Sequence, residues 1–341
     1  MRNARLPCVL ALCALSAFTG PISSQAPYAM QVIAFDTNNN AGGGTFIPAN
    51  ALGAPSGLGT GNGSAHVHSL GTGGYLTLGF GVTLADGPGA DFLVAENPFA
   101  VALSRVYAEL AFVEVSTNGT DFARFPSRFF TGDGSSFAIN TVGFVSGLAG
   151  QTPVFANPAT NPNLDPQDVV EAGGDAFDLA DLRNHPLVIS GAVNLASIAQ
   201  VRLVDVVSGQ SLDSRGRVIL DPSSGSADID AVTVIHHTGN LGGRGPHVTL
   251  DIPADGNFAL TISDPDGLAD LDPASLRMSL YGEPIDPGPV LAIMTLRQVT
   301  ATSFTLDLGG PLPPGWLLQL GVSVKDRAGA RSGELRQRPV N

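Results

Sequence analysis

Glycine and proline punctuate this chain so often that no long helix can form anywhere along it. The 42 glycines and 25 prolines break the 341 residues into short apolar runs, and a helical core would need longer uninterrupted stretches. The runs that remain have the two-residue alternation of strands. Tyr75-Leu-Thr-Leu-Gly-Phe80 alternates, and Leu110 to Ser116 puts Phe112 on the face opposite Val113 and Val115. Thr117-Asn118-Gly119-Thr120 then supplies a hairpin turn, since Asn and Gly tolerate positive φ, with Phe122 and Phe125 on the returning strand. Val201 to Val207 and Ile229 to Ile235 are further strands. Strands at this spacing imply an all-β fold, a sandwich or jelly roll.

The N-terminus reads as an export signal. Arg2 and Arg5 precede the apolar stretch Leu6 to Phe18, and Ser24-Gln25-Ala26 offers a small-x-small cleavage site. The stretch is too short for a membrane span, so residues 1–26 are expected to be a signal peptide and the mature chain to have no span. Both cysteines, Cys8 and Cys13, fall inside it, which leaves no disulfide or thiolate site beyond. The formal net charge is −13, and loss of Arg2 and Arg5 makes it two units more negative. Such a surface repels nucleic acid and anionic lipid and suits divalent cations or neutral glycans. The expected location is extracellular or at a bacterial cell surface.

Two domains are expected. The first runs from 28 to 240 as a jelly-roll β-sandwich. Within it, Pro153, Pro158, Pro162 and Pro166 make Thr131 to Asp181 a long structured loop, with one short helical turn at Asp178 to Arg183. Gly239 to Pro246 is a glycine-rich joint, after which 246–338 repeats the β rhythm on a smaller scale, as an Ig-like sandwich.

Several phrases of the first domain occur in order: Ala51-Leu-Gly-Ala-Pro55, Asp86-Gly-Pro-Gly-Ala-Asp-Phe92, Ala95-Glu-Asn-Pro-Phe99, Ala108 to Ser116, Val201 to Val206 and Ala227-Asp-Ile-Asp-Ala-Val232. Together they resemble a family of bacterial secreted or cell-surface proteins with a galactose-binding-like jelly roll. Ala95 departs from that family, which usually has Phe there. The segment Val113 to Gly119, followed by Phe122, also resembles the hairpin of discoidin-type carbohydrate-binding modules. In the second domain, Ser263-Asp-Pro-Asp-Gly267 and Val322 to Gly329 resemble bacterial Ig-like repeats, which serve as spacers or adhesive modules. The resemblance implies a fold and a surface location more than a reaction.

The densest acidic constellation is Asp86, Asp91 and Glu96 in a Gly/Pro-rich loop, with Asp228 and Asp230 on a later strand where a spacing of two puts both carboxylates on one side. In a jelly roll the early loops and the closing strand can be neighbours, so these five oxygens are expected to bind calcium, a hard cation taking six to eight oxygen ligands. Galactose-binding-like domains commonly carry such an ion, which the resemblance extends to this chain. The competing account is that the carboxylates cap turns. Asp264, Asp266, Asp270 and Asp272 read as a solvated turn, since Gly267 falls at the wrong position for an EF-hand. His66 and His68 alternate but lack a third partner, and the adjacent His236 and His237 point to opposite faces.

Catalytic motifs are missing: no nucleophile elbow, His-Glu-x-x-His or phosphate loop occurs. Glu109 and Glu114 fall on opposite faces of one strand and are poor partners for glycoside hydrolysis. Trp316 is as much a core candidate as a sugar platform. The expectation is therefore a non-catalytic, calcium-stabilised binding or adhesion protein, with an extracellular glycan or cell-surface component as partner and no role for nucleic acid. The alternatives are a structural spacer with no small ligand, and a hydrolase with its site in the 131–181 loop.

Overall fold

The computed structural model describes residues 26–61, 63–102, 104–132, 140–222, 225–241, 245–251, 257–308, 310–312 and 317–339. Residues 1–25, all but the last of the expected signal peptide, and Trp316 lie outside them. Strands account for 43% and helix for 7%, so the fold is all-β, built of antiparallel sheets.

The larger sheet of the first sandwich runs Ala29–Asp36, Tyr75–Leu84, Ile198–Asp205, Ala111–Ser116, Leu148–Ala149, with Ala123–Arg124 also pairing Ala111–Ser116. A smaller sheet of Asp175–Phe177, Phe92–Ala95 and Ala231–Val234 faces it. Alternation explains the packing. Leu76, Leu78, Val113, Val115, Val201 and Leu203 point inward from the large sheet and meet Phe92, Val94, Val232 and Val234 from the small one. Phe92, Phe125 and Phe177 fill the centre, with ring centroids 5.0 to 5.8 Å apart. At about 1.5–3 kcal/mol per buried large side chain, this layer is the main stabilising term of the unit. The outer face of the large sheet is covered too, Phe112 packing with Phe129, Phe144 and Ile219.

The hairpin forms where Asn118-Gly119 demands it. Glu114 pairs Arg124 and Val115 pairs Ala123, Gly119 sits at φ +76°, and Asn118 Oδ1 accepts from the amides of Thr120 and Asp121, both 2.9 Å. The turn expected at Asp178 to Arg183 is a 3-10 helix, Leu179–Leu182, capped by Asp178.

The second sandwich packs His247–Asp251, Ala259–Ser263, Ser303–Leu308 and Met294–Val299 against Glu283–Ile285, Leu271–Leu280, Leu317–Asp326 and Arg331–Pro339, around Leu260, Ile262, Met278 and Val322. The short helix Pro287–Ile293, capped by Asp286, has no sequence-based counterpart. No described helix is long and apolar enough to cross a membrane.

The two cores are separate but their surfaces are joined. The loop bearing Asp165, Asp168 and Glu171 lies against the second sandwich. Asp165 Oδ2 takes Lys325 Nζ at 2.7 Å and Arg331 Nη1 at 2.5 Å. Glu171 pairs Arg277 at 2.7 Å, and Ser323 donates to Asp168 Oδ1 at 2.7 Å in a buried bond. Gln319 donates to Thr152 at 2.8 Å, also buried. The side chain of Val169 fills the space that a Cβ on Gly333 would need. Lys325, the chain's single lysine, is thus spent on this seam.

Candidate metal centres

The short strand Phe92–Ala95 decides where the acids go. Asp91 precedes it and Glu96 follows it, so at ~3.3 Å per residue their Cα atoms lie roughly 16 Å apart, at opposite ends of the sandwich. Calcium–oxygen distances are ~2.3–2.6 Å, so a single ion shared by Asp86, Asp91, Glu96, Asp228 and Asp230 does not exist. Asp86 and Asp91 go to one end, and Glu96 and Asp228 to the other. Asp230 also lies at the Glu96 end, its amide donating to Ala95 O at 2.9 Å, but its carboxyl turns to Ser56, whose N donates to Oδ2 at 2.7 Å, and its Oδ1 is buried without a partner.

At the first end, oxygens of Asp86, Asp91 and Asp178 lie within 4.8 Å of one another and could hold a metal ion. Most of this geometry is local hydrogen bonding. Asp91, fully buried, accepts from Gly87 N (2.7 Å) and Leu179 N (2.7 Å) and meets His236 Nδ1 at 2.9 Å. It therefore ties the Gly-Pro-Gly turn, the 3-10 helix and the last strand of the small sheet together. Asp178 caps Ala180 N at 2.8 Å; burial, and then the charge of Asp91, pushes its carboxyl up to about 7. Asp86 has Arg183 at 3.2 Å on one oxygen, while the other is buried without a partner.

The opposite rim is richer. Five acids from separate strand ends converge there: Glu96 after Phe92–Ala95, Glu109 before Ala111–Ser116, Asp205 closing Ile198–Asp205, and Asp221 and Asp228 on the returning segment. Backbone amides fix them. Asp228 N donates to Glu96 Oε1 (2.8 Å) and Ala227 N to Asp205 Oδ1 (3.0 Å), while Gly73 N holds Asp205 Oδ2 (2.8 Å) and Leu110 N holds Asp221 Oδ2 (3.2 Å). Ser69 donates to Asp228 Oδ1 at 2.5 Å. Gly225 has φ +107°, and a Cβ there would collide with Glu109 Oε1. Two oxygens in this rim, Glu96 Oε2 and Asp221 Oδ1, are buried with no hydrogen-bond partner.

Burial raises every carboxyl of the rim, and repulsion by neighbouring acids adds to it at Glu96, Glu109, Asp205 and Asp221. Burial, then Glu109 and Asp228, lifts Glu96 well above its ordinary value, and burial, then Asp205 and Glu109 against the Leu110 amide, does the same for Asp221. Glu109 is pushed up to about 8 by burial and by Asp228 and Asp205. Asp205 rises to about 7 and Asp228 rises as well, each chiefly through burial. No three of these rim carboxyls bring oxygens within 4.8 Å of one another as Asp86, Asp91 and Asp178 do.

A third group, Asp264, Asp266 and Asp270, also brings oxygens within 4.8 Å and could hold a metal ion. Asp264 is fully buried, its Oδ1 accepting from Asp266 N at 2.8 Å and its Oδ2 unpartnered. This is more enclosed than the solvated turn that the spacing suggests. His66 is exposed and His68 fully buried, so the two share no ligand side; burial lowers His68 to about 4 and keeps it neutral. Glu114 faces away from Glu109 and binds Arg124 (2.8 Å) and Arg202 (2.5 Å).

Glu109, Asp205, Asp221 and Asp178 are absent from the sequence-based ligand set. Glu109 and Asp205 are lone acids at strand ends, Asp178 stands before a 3-10 helix and Asp221 lies in a loop, and the pairing of Asp205 with Ala111 brings the two strand ends together. No protein-family model and no curated protein matches this chain.

Proposed function

We propose that the chain is a secreted or cell-surface binding protein without catalytic function, its first sandwich stabilised by calcium held among Glu96, Glu109, Asp205, Asp221 and Asp228. Its partner on this reading is an extracellular glycan or another cell-surface component. The supporting observation is the pair of orphaned buried oxygens, Glu96 Oε2 and Asp221 Oδ1, set among five mutually repelling carboxyls. A hard cation with six to eight oxygen ligands satisfies such atoms and offsets the repulsion, and backbone carbonyls or water complete its shell. When bound, the ion supplies charge neutralisation and cross-links the strand ends.

Raised carboxyls also suit a hydrolase, but hydrolysis needs room for a sugar beside them. Three cavities, of about 420, 510 and 640 Å³, are lined by other residues. In the 131–181 segment, where a hydrolase site was the alternative, Thr152, Asp165, Asp168 and Glu171 are committed to the seam, while Phe155, Thr160 to Leu164, Val170 and Glu171 line the cavity of about 640 Å³.

The test is the thermal midpoint in excess EDTA and in millimolar CaCl₂. Calcium at a hundredfold excess over Kd contributes about 2.7 kcal/mol, or roughly 5–11 °C for a unit of this size. Glu96→Gln and Asp228→Asn should abolish the rise, and Asp86→Asn should retain it. No rise, or a rise lost only in Asp86→Asn, overturns this assignment.

A further inference from the structure

The loop from Asp264 to Asp270 joins the two sheets of the second sandwich. Ala259–Ser263, which precedes it, belongs to one sheet, and Leu271–Leu280, which follows it, belongs to the facing one. The chain crosses between layers here, and backbone bonds hold it from both. Asp264 N donates to Thr302 O at 2.8 Å and Leu268 N to Ala301 O at 3.1 Å, while Arg327 N donates to Asp270 O at 2.8 Å. Ala301 and Thr302 sit between two strands of the first sheet, and Arg327 between two strands of the second.

Three carboxyls gather in this crossover. Oxygens of Asp264, Asp266 and Asp270 lie within 4.8 Å of one another, where like charges repel. Close acids alone define no ligand, but the state of Asp264 points to one. Its side chain is fully buried. Oδ1 accepts from Asp266 N at 2.8 Å, and Oδ2 beside it is buried with no hydrogen-bond partner. A buried carboxylate oxygen left bare is costly unless a cation meets it. Among the described residues no basic side chain does so. The ion pairs of the second sandwich join Arg277 to Glu171, Arg297 to Asp307, Lys325 and Arg331 to Asp165, and Arg336 to Glu334. The Asp86 trio is as close-set but differs: Asp91 spends its oxygens on two amides and His236, and Asp86, partly exposed, pairs with Arg183.

We infer that Asp264, Asp266 and Asp270 hold a calcium ion that staples the two sheets of the second sandwich together at this crossover. All three donors are hard oxygens, which suit calcium rather than zinc or copper, and backbone carbonyls and water complete its shell. Magnesium fits less well, since it demands near-octahedral geometry and gives up its water reluctantly. Three carboxyls, with Asp266 exposed, make a weak site, with a Kd of about 10⁻³ M at the weak end of extracellular modules. At that affinity millimolar calcium only about doubles the weight of the folded state, which leaves the large thermal rise to the rim. The loop shares no residue with the rim, and the inference does not rest on it.

The test is a titration of the isotope-labelled full chain with CaCl₂ at constant ionic strength, read at the amide resonances of Asp266, Gly267 and Arg327. These should shift saturably with a midpoint of about 1 mM, and MgCl₂ should move them far less. Asp264→Asn keeps an acceptor for Asp266 N and should abolish the response. Asp266→Asn, at an exposed position, should weaken binding about tenfold, and it decides the matter if Asp264→Asn does not fold. Glu96→Gln should leave the response as it is. A drift that does not saturate, an equal response to magnesium, an undiminished response in Asp264→Asn or Asp266→Asn, or its loss in Glu96→Gln overturns the inference. Loop shifts without a calcium-dependent midpoint remove the rim site alone, and a midpoint rise without loop shifts removes this site alone.

Discussion

Stripped of metal, the protein should lose stability as the pH rises from about 5 to 8, against the usual behaviour of paired carboxylates. Glu109 carries the argument. Its ordinary value is 4.5 and the folded rim holds it at about 8. A carboxyl raised in the folded state keeps its proton there and releases it on unfolding. Its contribution is therefore fully present below about 4.5 and lost as the pH climbs to about 8. One proton over three pH units amounts to roughly 4 kcal/mol at most, or a fall of about 8–16 °C in midpoint. Asp205, held at about 7, steepens the same slope; as the two are coupled, the slope counts protons rather than residues. Scanning calorimetry in EDTA at pH 5, 6, 7 and 8 measures it directly. Glu109→Gln should flatten the slope by about one proton. Calcium should do likewise, because a cation replaces the protons, so its stabilising effect grows with pH. A slope that is flat or positive in EDTA, or unchanged in Glu109→Gln, would refute the claim that the rim carboxyls are mutually destabilised.

At the other end of the sandwich, Asp91→Ala removes the acceptor of two backbone amides and of the buried His236 ring. Urea titration should show a loss of roughly 3–5 kcal/mol, with the EDTA-to-calcium difference in midpoint preserved. At the seam, Asp165→Asn should cost about 1–3 kcal/mol near pH 7 and little in strong acid. Burial opposes ionisation of Asp165, but Arg331 and Lys325 outweigh it and hold the group below its ordinary 3.8. Its contribution is thus present above about 4 and lost as the pH falls through the lowered value. Calorimetry of wild type and variant at both pH values checks this.

The strands were legible because burial on one face writes a two-residue period into the chain, as in Ile198–Asp205, and because Asn118-Gly119 can hardly be anything but a turn. Nearness in sequence misled at the acids. Asp86, Asp91 and Glu96 look like one loop, but Phe92 to Ala95 between them have the β-rich, apolar character of a strand and carry Glu96 to the far end. The rim was illegible for the converse reason: Glu109, Asp205 and Asp221 are single acids far apart along the chain, and only the register of antiparallel pairing joins them. Fully satisfied and orphaned carboxylates also look alike in a sequence. Asp91 spends its oxygens on amides and an imidazole, whereas Glu96 leaves one oxygen bare.

The joint at 239–246 and the seam disagree about where this protein comes apart. A protease nicking the glycine-rich joint would cut the covalent link, yet Asp165 would still hold Lys325 and Arg331, and Glu171 would still hold Arg277. The two fragments should then travel as a non-covalent heterodimer, visible as one species in solution and two bands on a denaturing gel. Either half produced alone would carry unmatched charge on what had been an interior wall, so the natural place to divide the chain for dissection is not the natural place to divide the molecule.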